Sequence, residues 1–207
     1  MRFDHLRGLP AAVVRAPFTA LLDAAILVIA LTNGSAAGRL DRAIRYEWGF
    51  GPLYFWQGHW HSLFTNILLV RNLLMLVGIL AFLIVSVGIY ERRFGTLRAI
   101  VLFFLANVAT LLLTAALVVY PLHLAGAPVQ WDWAPAGDVG ASFGGFGCMG
   151  GWIRRLEYRT RTRWLAVATI ALAAKLLVYP ERFGDIGHII ALYSGVGLDR
   201  ALWGQRR

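Results

Sequence analysis

The sequence predicts an all-α membrane protein, a single domain over residues 1–207 built as a bundle of six membrane-crossing helices. Three observations carry that expectation. Of 207 residues, 58% are hydrophobic and 15% charged, with a mean hydropathy of +0.62, far from the composition of a water-soluble domain. Six nearly uncharged runs recur at about the length a helix needs to cross roughly 30 Å of hydrocarbon. Arginine-rich segments alternate with arginine-poor ones, the pattern that orients a multi-pass chain.

The first run, residues 17–33, is interrupted only by Asp23. Arg2, Arg7 and Arg15 ahead of it give it the outline of a secretory signal, but five further runs follow, so it reads as a first anchor. Residues 72–90 and 99–120 are the clearest spans, each about 20 residues without an ionised side chain. Residues 139–153 are short and glycine-rich, which suits a helix packed inside the bundle. Residues 164–179 carry Lys175 close enough to the external end to snorkel, and residues 186–203 complete the set.

Orientation follows from the connections. Segments 91–98, 154–163 and 199–207 are basic, whereas 121–138 has no Lys or Arg and 180–185 has one. Both termini and the second and fourth connections therefore face the cytoplasm, and the chain is expected in the bacterial cell membrane. The long connection 34–71 is then external. It holds Arg39, Arg42, Arg45 and Arg71, and with its aromatics it predicts a structured, partly interfacial loop. Trp48, Trp56, Trp60, Trp131, Trp133, Trp152, Trp164 and Trp203 fall near span ends, where indoles prefer the headgroup level. The net charge of +9 suits anionic lipid; no basic module or stacking platform points to nucleic acid. Cys148, alone, forms no internal disulfide.

In "GDVGASFGGFGCMGGW", residues 137–152, one serine stands among seven glycines. Runs four and six enter from the same side. Ser142 comes four residues after Asp138 and His188 three after Asp185, so both are expected roughly 5 Å inside their helices. Gly140, Gly144, Gly147 and Gly151 on run four, and Gly187, Ala191 and Gly195 on run six, give small faces that let two helices approach. A hydroxyl beside an imidazole is the minimum apparatus of acyl transfer. A third carboxylate would be costly at membrane depth, which favours a dyad over a triad. Alone, Ser142 would read as a packing residue bonded to its own helix; an intramembrane His reads as functional.

"GASFGGFG" (140–147) resembles the G-x-S-G nucleophile motif of rhomboid intramembrane proteases. "GHIIALYSG" (187–195) resembles their sixth-helix histidine, and "YERRFGTLR" (90–98) is similar to their E-x-x-x-G-x-x-R junction. The likeness covers about residues 60–203. It implies a six-helix rhomboid-like bundle, Ser142 as nucleophile, His188 as general base and Phe146 packed on the imidazole. Glu91, Arg93, Gly95 and Arg98 correspond to a structural junction, a capped cytoplasmic turn. Gly140, Gly144, Gly187 and Gly195 support the site. The chain departs from the family in three places. The His and Asn that help hold the family's oxyanion are replaced by Met75 and Ile79, which donate no hydrogen bond. Phe143 stands where a glycine usually follows the serine. Asn72, with Asn66 behind it, is the substitute side-chain donor if the alignment shifts; otherwise backbone amides at the helix start must serve.

Elsewhere, "HWH" (59–61) has spacing that would share a metal on a strand but not on one helical face. With no Cys or Glu cluster joining it, it reads as a pair of interfacial loop histidines, and no metal is expected. Asp23 and Lys175 are ionisable groups at membrane depth, open to pairing or to lining a polar cavity. No phosphate loop, haem motif or dinucleotide fingerprint is present, so no cofactor is expected. Two functions compete: an intramembrane serine protease acting on transmembrane-helix proteins, and a rhomboid-like pseudoprotease that binds or escorts them.

Overall fold

The computed structural model describes residues 15–126, 137–178 and 180–204. Arg2, Arg7, Trp131, Trp133, Tyr179, Arg206 and Arg207 lie outside the described residues. Among the described residues the chain is helical, and the only extended pairings are isolated bridges between Arg39 and Asn72 and between Phe50 and Asp138. In chain order the helices are α1 (Pro17–Thr32), α2 (Arg42–Trp48), α3 (Pro52–Phe55), α4 (Ser62–Thr65), α5 (Leu73–Phe94), α6 (Thr96–Thr114), α7 (Tyr120–Leu124), α8 (Ser142–Arg154), α9 (Tyr158–Val178) and α10 (Arg182–Trp203).

Each predicted run forms a helix, with displaced ends. α5 begins where the Asn72 side chain accepts the Met75 N–H at 2.9 Å, a standard N-cap, and ends at Gly95, whose φ of 94° suits only glycine. α6 continues through a π turn, Ala115–Val119, just ahead of Pro121, whose missing N–H forbids regular helix bonding there. α10 starts at Arg182, a full turn before the predicted end. α8 starts at Ser142 rather than at residue 139.

Among the described residues, two helices are long and apolar enough to cross a membrane: Leu73–Phe94, and the continuous stretch Thr96–Leu124. The other four fall short of that test. α1 is apolar but has 16 residues, and α8 has 13. α9 begins among Arg159, Arg161 and Arg163, and α10 carries Arg182, Asp185, Asp199 and Arg200.

α8 is the packing centre, held by α5, α6 and α10. Its glycines make this possible. A Cβ on Gly147 would meet Ala106 of α6, and one on Gly151 would meet Leu102 of α6 and Tyr90 of α5. The core around it joins Ile79, Leu83, Val87, Leu102, Phe103 and Cys148. Burial of this kind contributes about 25 cal/mol per Å² of apolar surface.

Two buried polar knots tie one end of the bundle. The Glu91 carboxylate accepts the N–H groups of Phe18 (2.8 Å) and Thr19 (2.9 Å) and the hydroxyls of Thr19 (2.7 Å) and Thr96 (2.9 Å). It thus caps α1 and fixes the α5–α6 turn, which gives the Glu91–Gly95 junction a structural job. Asp199 accepts from Tyr90 Oη (2.6 Å), Arg154 Nε (2.5 Å) and Arg155 Nε (2.8 Å), joining α5, the end of α8 and α10. The charge is buried but every lone-pair direction is engaged, the condition under which burial is tolerated.

Candidate active site

The chain reaches Ser142 through Gly140, whose φ of 123° needs glycine and whose N–H donates to the Asn66 carbonyl at 2.8 Å. Ala141 is then the N-cap and offers no side-chain acceptor. The first amides of α8 are therefore left without a side-chain cap, and Ser142 is the first residue of the helix.

The structure brings Ser142 and His188 together: Ser142 Oγ and His188 Nε2 are 2.9 Å apart. They share one layer, as expected, but not at the matched positions in their helices that the spacing predicts, because Ser142 opens α8. His188 is the seventh residue of α10, and that helix begins earlier than its hydropathy suggests because Arg182 and Asp185 lie in its first turn. Phe146, one turn after the serine, packs on the imidazole with ring centroids 4.8 Å apart; Phe143 meets the same ring edge-on at 5.3 Å. Phe143 is buried and fills the gap left by Gly187, where a Cβ would lie 2.5 Å from its ring. Phe143 thus backs the histidine.

His188 Nδ1 is buried and has no hydrogen-bond partner among the described residues. Asp185, one turn earlier, is committed elsewhere, accepting from Lys175 Nζ at 2.5 Å and the Glu181 N–H at 2.8 Å. Serine and histidine therefore form a two-residue unit. With the ring proton on Nδ1, Nε2 is free to accept the serine proton.

Beside the pair lies a cavity of about 430 Å³, lined by Asn72, Met75, Ser142 and His188, with Arg71, Lys175, Asp138 and Glu181 adding charge. Arg71 links two acids, Glu181 at 2.8 Å and Asp138 at 3.6 Å. Burial pushes the Asp138 carboxyl up to about 6, against the opposing pull of Arg71. Lys175 lines the cavity, one of the two uses its depth in the sequence leaves open, whereas Arg71, Asp138 and Glu181 carry no role in the sequence analysis. Arg71 and Asp138 each stand immediately before a predicted run, so a charge at a span entrance was the available signal.

Met75 and Ile79 stand against the Gly140 turn, their tips 2.7 and 3.9 Å from where a Gly140 Cβ would be, and neither can donate. Asn72 lines the cavity; its Oδ1 is used by the Met75 N–H, which leaves the amide N–H₂ as its unused end. Asn66 is buried beneath the turn and does not line the cavity.

Three readings of the sequence need correction. Gly144 is not a contact point between runs four and six: a Cβ there would strike the ring of Phe103 on α6. The close approach to α10 falls instead at Gly147 against Gly195 and at Gly150 against the Leu192 carbonyl. Asp23 and Lys175 do not pair; each lines a separate cavity, the other use open to them. Lys175 binds Asp185, while Asp23 Oδ1 is buried without a partner among the described residues, beside a groove lined by Thr19, Gly88 and Arg92. Third, the two loop histidines are joined by an acid: Glu47, at the end of α2, brings a ligand atom within 4.8 Å of those of His59 and His61.

Comparison with known proteins adds no relative to this geometry: no family model, no curated protein and no solved structure matches the chain.

Proposed function

We propose that the chain is a rhomboid-like intramembrane serine protease that cleaves transmembrane segments of other membrane proteins. The observation that carries the reading is the 2.9 Å contact between Ser142 Oγ and His188 Nε2 at the wall of a polar cavity. The motifs around Ser142, His188 and Glu91 support the family assignment. Embedding in a bilayer is supported by the outer surface: Leu21, Val28 and Leu31 of α1, Leu74, Val77 and Val85 of α5, and Val167, Ile170 and Leu177 of α9 are all exposed. Such a belt is unfavourable in water and at home in lipid. On this reading all six long helices span, the charged ends of α9 and α10 meet the interfaces, and α8 is shielded from lipid.

In the reaction, His188 Nε2 removes the Ser142 proton as Oγ bonds to the scissile carbonyl carbon. The carbonyl oxygen becomes an oxyanion, held by the uncapped amides at the start of α8 and by the Asn72 amide. Collapse breaks the C–N bond, and the imidazolium returns its proton to the leaving nitrogen. Water then attacks the acyl-enzyme with His188 again as base, and collapse breaks the ester C–O bond as the imidazolium returns its proton to Ser142 Oγ. The rival reading is a pseudoprotease that binds membrane helices without cutting them. It is favoured by Met75 and Ile79, which place no donor beside the Gly140 turn.

A fluorophosphonate probe separates the two. Wild type in detergent is expected to be labelled on Ser142, with Ser142→Ala and His188→Ala unlabelled. Folded wild type that takes no label, or labelling that survives Ser142→Ala, goes against the protease.

A further inference from the structure

Outside the serine site, the connection between α1 and α5 gathers a second set of chemistry-bearing side chains. Glu47 lies on the last turn of α2, and His59 and His61 lie in the turn before α4. One ligand atom from each falls within 4.8 Å of the others. His61 Nε2 is 2.8 Å from the Glu47 main-chain oxygen and 4.0 Å from its carboxylate, and the two imidazole centroids are 5.7 Å apart.

The backbone holds these groups in place without relying on the side chains themselves. Gly58, with φ at 105°, reverses the chain into His59. Ser62 Oγ donates to the His59 carbonyl at 2.5 Å. Thr65 Oγ1 donates to the Trp48 carbonyl at 2.7 Å, anchoring the end of α2 to α4. His59 Nδ1 is buried with no hydrogen-bond partner among the described residues. An orphaned imidazole nitrogen is costly, and ligation at that atom would satisfy it.

We infer that Glu47, His59 and His61 form a divalent-metal site of the zinc class. Two imidazoles and one carboxylate are a borderline ligand set, suited to Zn²⁺. Mg²⁺ and Ca²⁺ prefer all-oxygen shells, and the absence of thiolate removes any preference for Cu(I). Three protein ligands leave a coordination position for water, and Glu47 and His61 are exposed enough to admit it. The ion would tie the end of α2 to the turn before α4. Two residues beyond α2, Phe50 exchanges main-chain hydrogen bonds of 2.8 Å in both directions with Asp138. Metal at this site therefore stiffens the segment that carries Asp138 into the serine cavity.

The test is calorimetric titration of ZnCl₂ into the full chain in detergent, stripped with chelator and carrying no polyhistidine tag. One equivalent is expected to bind. The affinity should fall by at least about tenfold in His59→Ala and in His61→Ala, and be unaffected in Ser142→Ala. Cobalt(II) gives a readout that needs no variant: wild type should develop visible d–d absorption that ZnCl₂ abolishes. Wild type that binds neither ion, or zinc affinity unchanged in His59→Ala/His61→Ala, overturns the site.

Discussion

At the scale of single residues, the proposed reactivity of Ser142 rests on its surroundings. Gly140 turns the chain, Ala141 leaves the helix start uncapped, and Phe146 and Phe143 fix the plane of the His188 ring. Asn72 has two jobs in this scheme, capping α5 and lending its amide to the oxyanion, and they can be pulled apart. Asn72→Asp still accepts the Met75 N–H but has no N–H to give. Its melting temperature should match wild type while proteolysis falls about a hundredfold; an unchanged rate removes Asn72 from the reaction. Asp138 gives a pH signature. Its carboxyl titrates at about 6 in the fold against an ordinary value near 4, so the folded state binds the proton more tightly. Stability from this group is greatest below about pH 4 and is lost as pH rises through about 6, by roughly 3 kcal/mol at most. Asp138→Asn should therefore be about as stable as wild type at pH 4 and more stable than it at pH 7, as judged by thermal melts; a difference that grows toward acid contradicts this. The serine–histidine pairing was legible because two rare polar residues interrupt glycine-rich runs on the same side of a predicted bundle. Glu47 was not legible as a partner of His59, twelve residues away: only the turn at Gly58 and the clamp at Thr65 bring it back.

At the scale of helices, glycine decides which elements touch. Gly195 lies so close to the Gly147 main chain that any side chain must push α8 and α10 apart, whereas a Cβ on Gly197 meets nothing. Gly195→Ala should cost roughly 1–3 kcal/mol of stability and lower activity in proportion. Gly197→Ala should be neutral or stabilising by up to about 1 kcal/mol, since it only adds helix propensity. Equal melting temperatures for the two would contradict the packing described. The small-residue spacing announced that runs four and six carry close-packing faces, but spacing alone could not say which neighbour each glycine meets, and Gly144 turned out to face Phe103 on α6. Helix ends were misplaced for a related reason. Hydropathy stops at charge, yet Arg182 and Asp185 continue α10 because Lys175 and the Glu181 N–H satisfy Asp185. The Asp199 knot was invisible for the same cause, since its partners Tyr90, Arg154 and Arg155 are brought to it by the fold.

At the scale of the molecule, two helices carry the length and apolarity of membrane spans, and the proposed six-span reading rests on the exposed apolar belt of α1, α5 and α9. On that reading the cavity and its charged residues lie near one face of the bundle, next to α8, which the other helices cover. A substrate helix would have to unwind locally to bring a peptide bond to Ser142, and a polar cavity of about 430 Å³ is where its unpaired backbone could find partners. The most direct test is proteolysis in liposomes. Wild-type chain co-reconstituted with a panel of single-span reporter proteins should cut at least one of them within or beside its membrane segment. Ser142→Ala and His188→Ala, inserted to the same level, should leave every reporter whole. Cleavage by wild type that persists in Ser142→Ala, or intact reporters throughout with correctly inserted wild type, would contradict catalysis by the pair.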